Sequence, residues 1–232
     1  MSHIKRFSDY RLETMCSYCG NTPDASDHVP SKILLNEPYP ENIFVVPCCN
    51  KCNQSFSLDE EYIGCFLECV VCGSTEIDNL KSEKIKKVFN NKPSLKLMIE
   101  KSIKKIDQQT FFEIDTKRLE NVLTKLAKGH AKYENSEPIL KAPTSILYKA
   151  KTEMKQHERD SFFATQDISL LPEVGSRALQ RLFINDGKAS SHWITVQENN
   201  YVYNVHIDAG RISVKMVLKN YLVAEVIWNE DF

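Results

Sequence analysis

The chain has 232 residues, a formal net charge of −1 and 42% hydrophobic residues, which supplies one large core or two small ones and excludes a charge-swollen disordered chain. No basic start leads into an apolar stretch, and no uninterrupted apolar run approaches the ~18 residues of a membrane span, so a cytoplasmic protein without membrane contact is expected. In that compartment eight cysteines read as metal ligands and reduced thiols, not as disulfides.

In chain order, residues 1–15 form a lead-in without a motif. Two Cys-x-x-Cys pairs follow, Cys16/Cys19 and Cys49/Cys52. A turn with two intervening residues points both sulfurs at one centre, so four thiolates can surround one structural Zn2+. Cys48 lacks the spacing to Cys52 and is expected in the core. The first strand should end near Asp27 and His28, with Pro30, Pro38 and Pro40 marking an extended, turn-rich connection. The β-branched and aromatic run 43–46 suits a second strand, and a helix should start around residue 49. That helix is expected to be short, because Ser57 with Glu60 makes a capping box ahead of Tyr62, Ile63, Phe66 and Leu67. Cys65, Cys69 and Cys72 fall on one face of the next helix and read as buried thiols outside the zinc site.

Helical periodicity continues over 79–91 and 94–106, separated by Pro93. Residues 110–114 suit a strand, and Asp115 can cap a helix to about 133 with Leu119, Val122, Leu123 and Leu126 inward. Further helices are expected over 146–157 and 172–183, with a joint at 136–143, and His130 and His157 read as structural. The last third changes period. Runs 193–197, 201–207, 211–218 and 221–228, divided by Asn199-Asn200, Asp208-Ala209-Gly210 and Lys219-Asn220, predict an antiparallel meander with one wet face.

The near-neutral total conceals a segregation. From Cys16 to Cys72 two lysines face eight acids, a net of −6, whereas from Lys81 to Ile106 nine lysines face two acids, a net of +7. The basic run is either a pair of solvated helix faces or a surface for phosphates, with Lys84, Lys87 and Lys101 as the residues to test.

Asp27-His28-Val29-Pro30 between the cysteine pairs, then Asn42-Ile43-Phe44-Val45-Val46-Pro47 and Cys49-x-x-Cys52-Asn53, resembles the HNH, or ββα-metal, endonuclease family over residues 16–57. The resemblance implies two strands and a helix, with His28 as general base, Asn42 holding the crossing loop and Asn53 in the last motif position. It also implies that Asp27 and Asn53 hold one catalytic cation, Mg2+ or another divalent ion, for hydrolysis of phosphodiester bonds in DNA to 5′-phosphate and 3′-hydroxyl ends. A near-neutral histidine and hard oxygen donors suit those roles. The chain departs from the pattern after Asn53, where Gln54, Ser55, Phe56 and Ser57 stand in place of a lysine that many relatives carry. Lys51, Lys32 or a residue outside the motif would then meet the phosphate. Two alternatives stay open: RNA as substrate, and a non-catalytic zinc module that binds nucleic acid or protein.

The fold expected is therefore α+β, with an N-terminal zinc-bound ββα-metal module over 1–75 and a second part over 76–232 of helices followed by an antiparallel β meander. The role of that meander, and any protein partner or homo-oligomer, is not legible.

Overall fold

A computed structural model describes residues 13–41, 43–106, 109–184, 191–208 and 210–229. The first hairpin pairs β1 (Ala25–Val29) with β2 (Phe44–Cys48) in antiparallel register, Asp27 opposite Val46 and His28 opposite Val45. Strand alternation buries Asp27 and Val29 and leaves Ser26 and His28 toward the wetter side. Helix α1 (Asn50–Cys72) follows at once, capped by Cys49, whose sulfur accepts from the Cys52 N–H, and ended by Gly73 in the left-handed conformation at φ 65°.

Helix α1 is continuous over 23 residues, which corrects the expected break at Ser57. Ser57 caps nothing. Its hydroxyl donates to the Gln54 carbonyl one turn back at 3.0 Å, and Glu60 turns away toward another helix. Gly64 does not interrupt the helix, because its bare Cα admits Ile33: a Cβ there would lie 2.5 Å from the Ile33 side chain.

Helices α2 (Glu83–Asn91) and α3 (Pro93–Lys101) come next, with Ser82 capping the first and Pro93 at the first turn of the second. The expected helix over 94–106 stops at Lys101. Residues Ile103–Ile106 instead form β3, paired with β4 (Gln109–Phe112). Helix α4 (Thr116–Asn135) has the predicted cap, Asp115, which accepts from the Arg118 N–H at 3.2 Å. Its buried stripe of Leu119, Val122, Leu123 and Leu126 stabilises the fold by roughly 1.5–3 kcal/mol per side chain.

Strand β5 (Ser145–Ala150) stands where a helix was expected over 146–157, and a 3-10 turn and the short α5 (Gln156–Phe163) complete that segment. The reason is tertiary. Ser145 to Ala150 pairs along the whole outer edge of β9, from Ile227 to Leu222, and that ladder overrides weak local helix preference. Helix α6 (Arg177–Ile184) begins five residues later than expected. The strands β6 (Trp193–Gln197), β7 (Tyr201–Asp208), β8 (Arg211–Leu218) and β9 (Leu222–Asn229) follow the predicted runs closely. With β5 they form a five-stranded antiparallel sheet in the order β5-β9-β8-β7-β6. The molecule is thus α+β, with six α-helices among the described residues. None of its described helices is long and apolar enough to cross a membrane.

Helix α4 is the axis of the structure. One face meets α1, where Asn121 donates to Asp59 at 2.7 Å and the Tyr62 hydroxyl accepts from the Asp115 N–H at 3.2 Å. Gly129 lies on β1, since a Cβ there would stand 2.6 Å from a Val29 methyl. The sheet face receives His130, which shares a hydrogen bond with the Tyr201 hydroxyl at 2.8 Å and stacks on Tyr203 at 3.9 Å. Buried side chains from hairpin, helices and sheet join in one apolar cluster.

Candidate functional site

The four predicted ligands come together. The sulfurs of Cys16, Cys19, Cys49 and Cys52 all lie within 4.8 Å of one another, with Cys19 and Cys49 at 3.8 Å. Four thiolates at the zinc–sulfur distance of about 2.3 Å place neighbouring sulfurs about 3.8 Å apart in a tetrahedron, so this cluster could hold a metal such as zinc. Backbone groups build it. Gly20, at φ 77°, closes the first turn by donating to the Cys16 carbonyl at 2.9 Å, and the Cys49 N–H donates to the Cys16 sulfur at 3.3 Å. Both the Ser17 N–H (2.9 Å) and hydroxyl (2.8 Å) then tie that turn to the Pro47 carbonyl on β2.

The thiols differ in proton affinity. The Cys52 N–H and neighbouring sulfurs bring Cys49 down to about 7, whereas burial, with Cys49 and Cys19 beside it, pushes Cys52 up. A metal removes that conflict by displacing the protons. Lys128 of α4 brings a positive charge to the thiols, with its ammonium on the Leu140 carbonyl at 3.2 Å; burial depresses its proton affinity and Cys52, Cys16 and Cys19 oppose that shift. Cys48 is fully buried and its pKa is pushed up to about 12, chiefly by burial, as suits a core thiol. Cys65 and Cys69 are buried and Cys72 half-buried on α1, outside the cluster.

Asp27 faces inward from β1 and is 7% exposed. Its Oδ2 accepts from the Tyr18 hydroxyl at 2.6 Å and meets the Lys125 ammonium of α4 at 2.7 Å. Burial and the adjacent Asp27 hold Tyr18 well above the usual phenol range, so it stays a donor. Lys125 also contacts Ser31 at 3.0 Å and Glu60 of α1, and Ser31 donates to Glu60. Two carboxylates, one ammonium and two hydroxyls thus form a buried polar network beside the hairpin.

The chain matches no family model, no curated protein and no solved structure.

The remaining predicted residues are distributed as follows. His28 is partly exposed on the face of β1 opposite Asp27, and Asn53 is partly exposed in the first turn of α1. Among the described residues the Asn53 side chain makes no hydrogen bond, its backbone N–H donating to the Cys49 carbonyl at 3.0 Å. Asn42 lies outside the described residues. Lys84 packs its ammonium 5.5 Å from the centre of the Tyr39 ring, which also receives Lys32 at 5.9 Å. Lys87 and Lys101 are exposed and, among the described residues, unpaired. Other lysines of the run are neutralised locally: Lys86 by Glu83, Lys92 by Glu61, and Lys96 by Glu100.

Sequence reasoning missed Lys125, Glu60, Ser31 and Tyr18. One signal was available, since Lys125 stands three residues after Val122, on the stripe that places Val122 and Leu126 inward.

Proposed function

We propose that the chain is an HNH-type, ββα-metal endonuclease that hydrolyses phosphodiester bonds in DNA. The observation that carries the reading is the succession β1, β2, α1 in a single cysteine-held unit, with Asp27 and His28 on the first strand and Asn53 in the first turn of the helix. In this reading His28 is the general base that takes the proton of the attacking water. Asn42 braces the crossing loop, and Asp27 with Asn53 holds one Mg2+ or similar ion. Two features support this reading: neither side-chain contact to Asp27 uses Oδ1, both falling on Oδ2, and a carboxylate and an amide oxygen are hard ligands. When bound, the cation would stabilise charge on the scissile phosphate. The cysteine cluster, loaded with Zn2+, would hold the strand and helix in register.

Plasmid DNA and RNA, incubated with pure protein in Mg2+, Mn2+ or EDTA, test this directly. Metal-dependent cutting of DNA by wild type and its loss in His28→Ala, with zinc content unchanged, is the expected result. Equal cutting by the two proteins would remove His28 from the reaction, and cutting of RNA alone would redirect the substrate. The affinity for DNA is assigned to the basic run, so the triple change of Lys84, Lys87 and Lys101 to Glu should weaken binding and flatten its salt dependence. A specific observation favours the competing reading, a zinc module that binds nucleic acid or protein without cutting it. Asp27 is already charge-paired with Lys125. Absence of cutting in every metal, with DNA still bound, would establish that alternative.

A further inference from the structure

Lys125 belongs to α4, outside the β1–β2–α1 unit, yet its ammonium ends inside it. The side chain is fully buried, and three groups of that unit surround its nitrogen: Asp27 Oδ2 at 2.7 Å, Ser31 Oγ at 3.0 Å and Glu60 Oε1. An ammonium withdrawn from water loses several kcal/mol of hydration, which is recovered only where oppositely charged groups are fixed around it. The three formal charges sum to −1, and Lys125 is shared between two carboxylates instead of belonging to one. Both contacts to Asp27 fall on the same oxygen, so the lysine and the Tyr18 hydroxyl, at 2.6 Å, fix the carboxylate's orientation from the Oδ2 side.

Building on the cation site of the preceding section, we propose that Lys125 is a tethered counter-ion that positions Asp27 and sets how strongly the Asp27 site holds a divalent cation. Lys125 meets neither substrate nor the reacting atoms and is a positioning residue. Glu60 is its second anchor: it draws part of the ammonium's charge away from Asp27 and so leaves Asp27 with more negative charge for the ion. A unit charge gained or lost a few ångströms from a divalent ion changes its affinity by about tenfold even with water-like screening. The two residues should therefore move cation affinity in opposite directions.

The experiment uses the full-length, zinc-loaded protein and counts bound Mn2+ by electron paramagnetic resonance. Glu60→Gln keeps the shape and the hydrogen bonds of the network but leaves Lys125 with Asp27 alone, so Mn2+ should bind about tenfold more weakly, with zinc content and helicity unchanged. Lys125→Met leaves two carboxylates without their cation. It should bind Mn2+ about tenfold more tightly, and its thermal midpoint should rise on Mn2+ addition by more than that of wild type. The Glu60→Gln result stands even if Lys125→Met does not fold. Wild-type Mn2+ affinity in Glu60→Gln would overturn the inference and reduce the network to packing. If wild type binds and cuts with Mn2+ while the variants bind it equally well, only this inference fails. If wild type binds no Mn2+ beyond its zinc site, the cation site itself fails, and this inference with it.

Discussion

The two ends of the molecule are held by different physics. The hairpin and the start of α1 bring together four sulfurs that could hold a metal and a buried cluster of charges, beside buried apolar residues such as Val29, Phe44 and Val46. The five-stranded sheet rests on cross-strand pairing and on buried side chains such as Tyr201, Tyr203, Val214, Met216 and Val226. A two-stranded hairpin alone is marginal in water, so packing against α4 and, when loaded, a metal on the four sulfurs would hold it in place. Among the described residues the sheet has no such cysteine cluster, but it too has buried charge contacts, with Lys219 meeting Glu68 at 3.3 Å and the Tyr203 hydroxyl donating to Glu134 at 2.7 Å. What touches both ends is α4, and perturbations should sort by which end they reach.

The largest effect should follow loss of the cluster. Cys49→Ser should release zinc and unfold the N-terminal unit, since structural zinc sites contribute about 10 kcal/mol or more in isolated peptides. Cys48→Ser should leave zinc content intact, because its sulfur stays out of the cluster. Metal analysis with limited proteolysis separates the two, and zinc loss in Cys48→Ser would contradict the assignment.

Next in size is Leu123→Ala on α4, a fully buried position. It should cost about 2–5 kcal/mol and lower the urea midpoint with zinc still bound. Retention of the wild-type midpoint would show that α4 is not the shared axis.

Acid should act through His130. Burial, with Lys125 nearby, holds its pKa well below the usual histidine range, so the folded chain keeps the ring neutral. The unfolded chain takes up a proton near pH ~6.5, so this contribution is complete above that pH and is lost as pH falls below it, by at most about 1.4 kcal/mol per pH unit. Urea unfolding between about pH 7.5 and 5.5 should show a shallower pH dependence in His130→Gln than in wild type. Equal slopes would show that His130 is not the source of the acid sensitivity.

The smallest effect concerns the seam between the two ends. Gln197, at the end of β6, accepts from the Asn36 N–H at 2.9 Å and donates to the Asn36 carbonyl at 2.9 Å, while Asn200 donates to the Leu34 carbonyl at 3.1 Å. Gln197→Ala should cost about 0.5–1.5 kcal/mol per hydrogen bond lost and raise amide exchange around residues 34–38 without moving zinc. Unchanged exchange there would show that the loop holds itself.

Those contacts also mark where sequence reading stopped. The cysteine cluster was legible because Cys-x-x-Cys spacing is a local geometric rule, and four sheet strands were legible because alternation and turn residues are local too. Strand β5 was not, since its pairing partner β9 lies some seventy residues further on and its own run, with Ile146 and Tyr148, suits either period. The Asp27 environment was hidden for the same reason: nothing near Asp27 announces a lysine from α4, and a lysine within a helical repeat reads as solvent-facing by default. Roles assigned through the family resemblance to His28, Asn42 and Asn53 depend on chemistry that spacing alone does not express.

The seam has a consequence for the order in which the chain can mature as it is made. Residues 13–72 leave the ribosome before α4 and the sheet, so Asp27 and Glu60 lack their lysine until α4 has emerged, and Leu34 to Asn36 lack their polar partners until the turns at 197–200 and at Lys219 have followed. A nascent N-terminal segment, even with zinc bound, would therefore carry unbalanced negative charge and a loose connecting loop. Its assembly is completed from the other end of the chain, and any activity it supports should arise only after the last sheet turn has been translated.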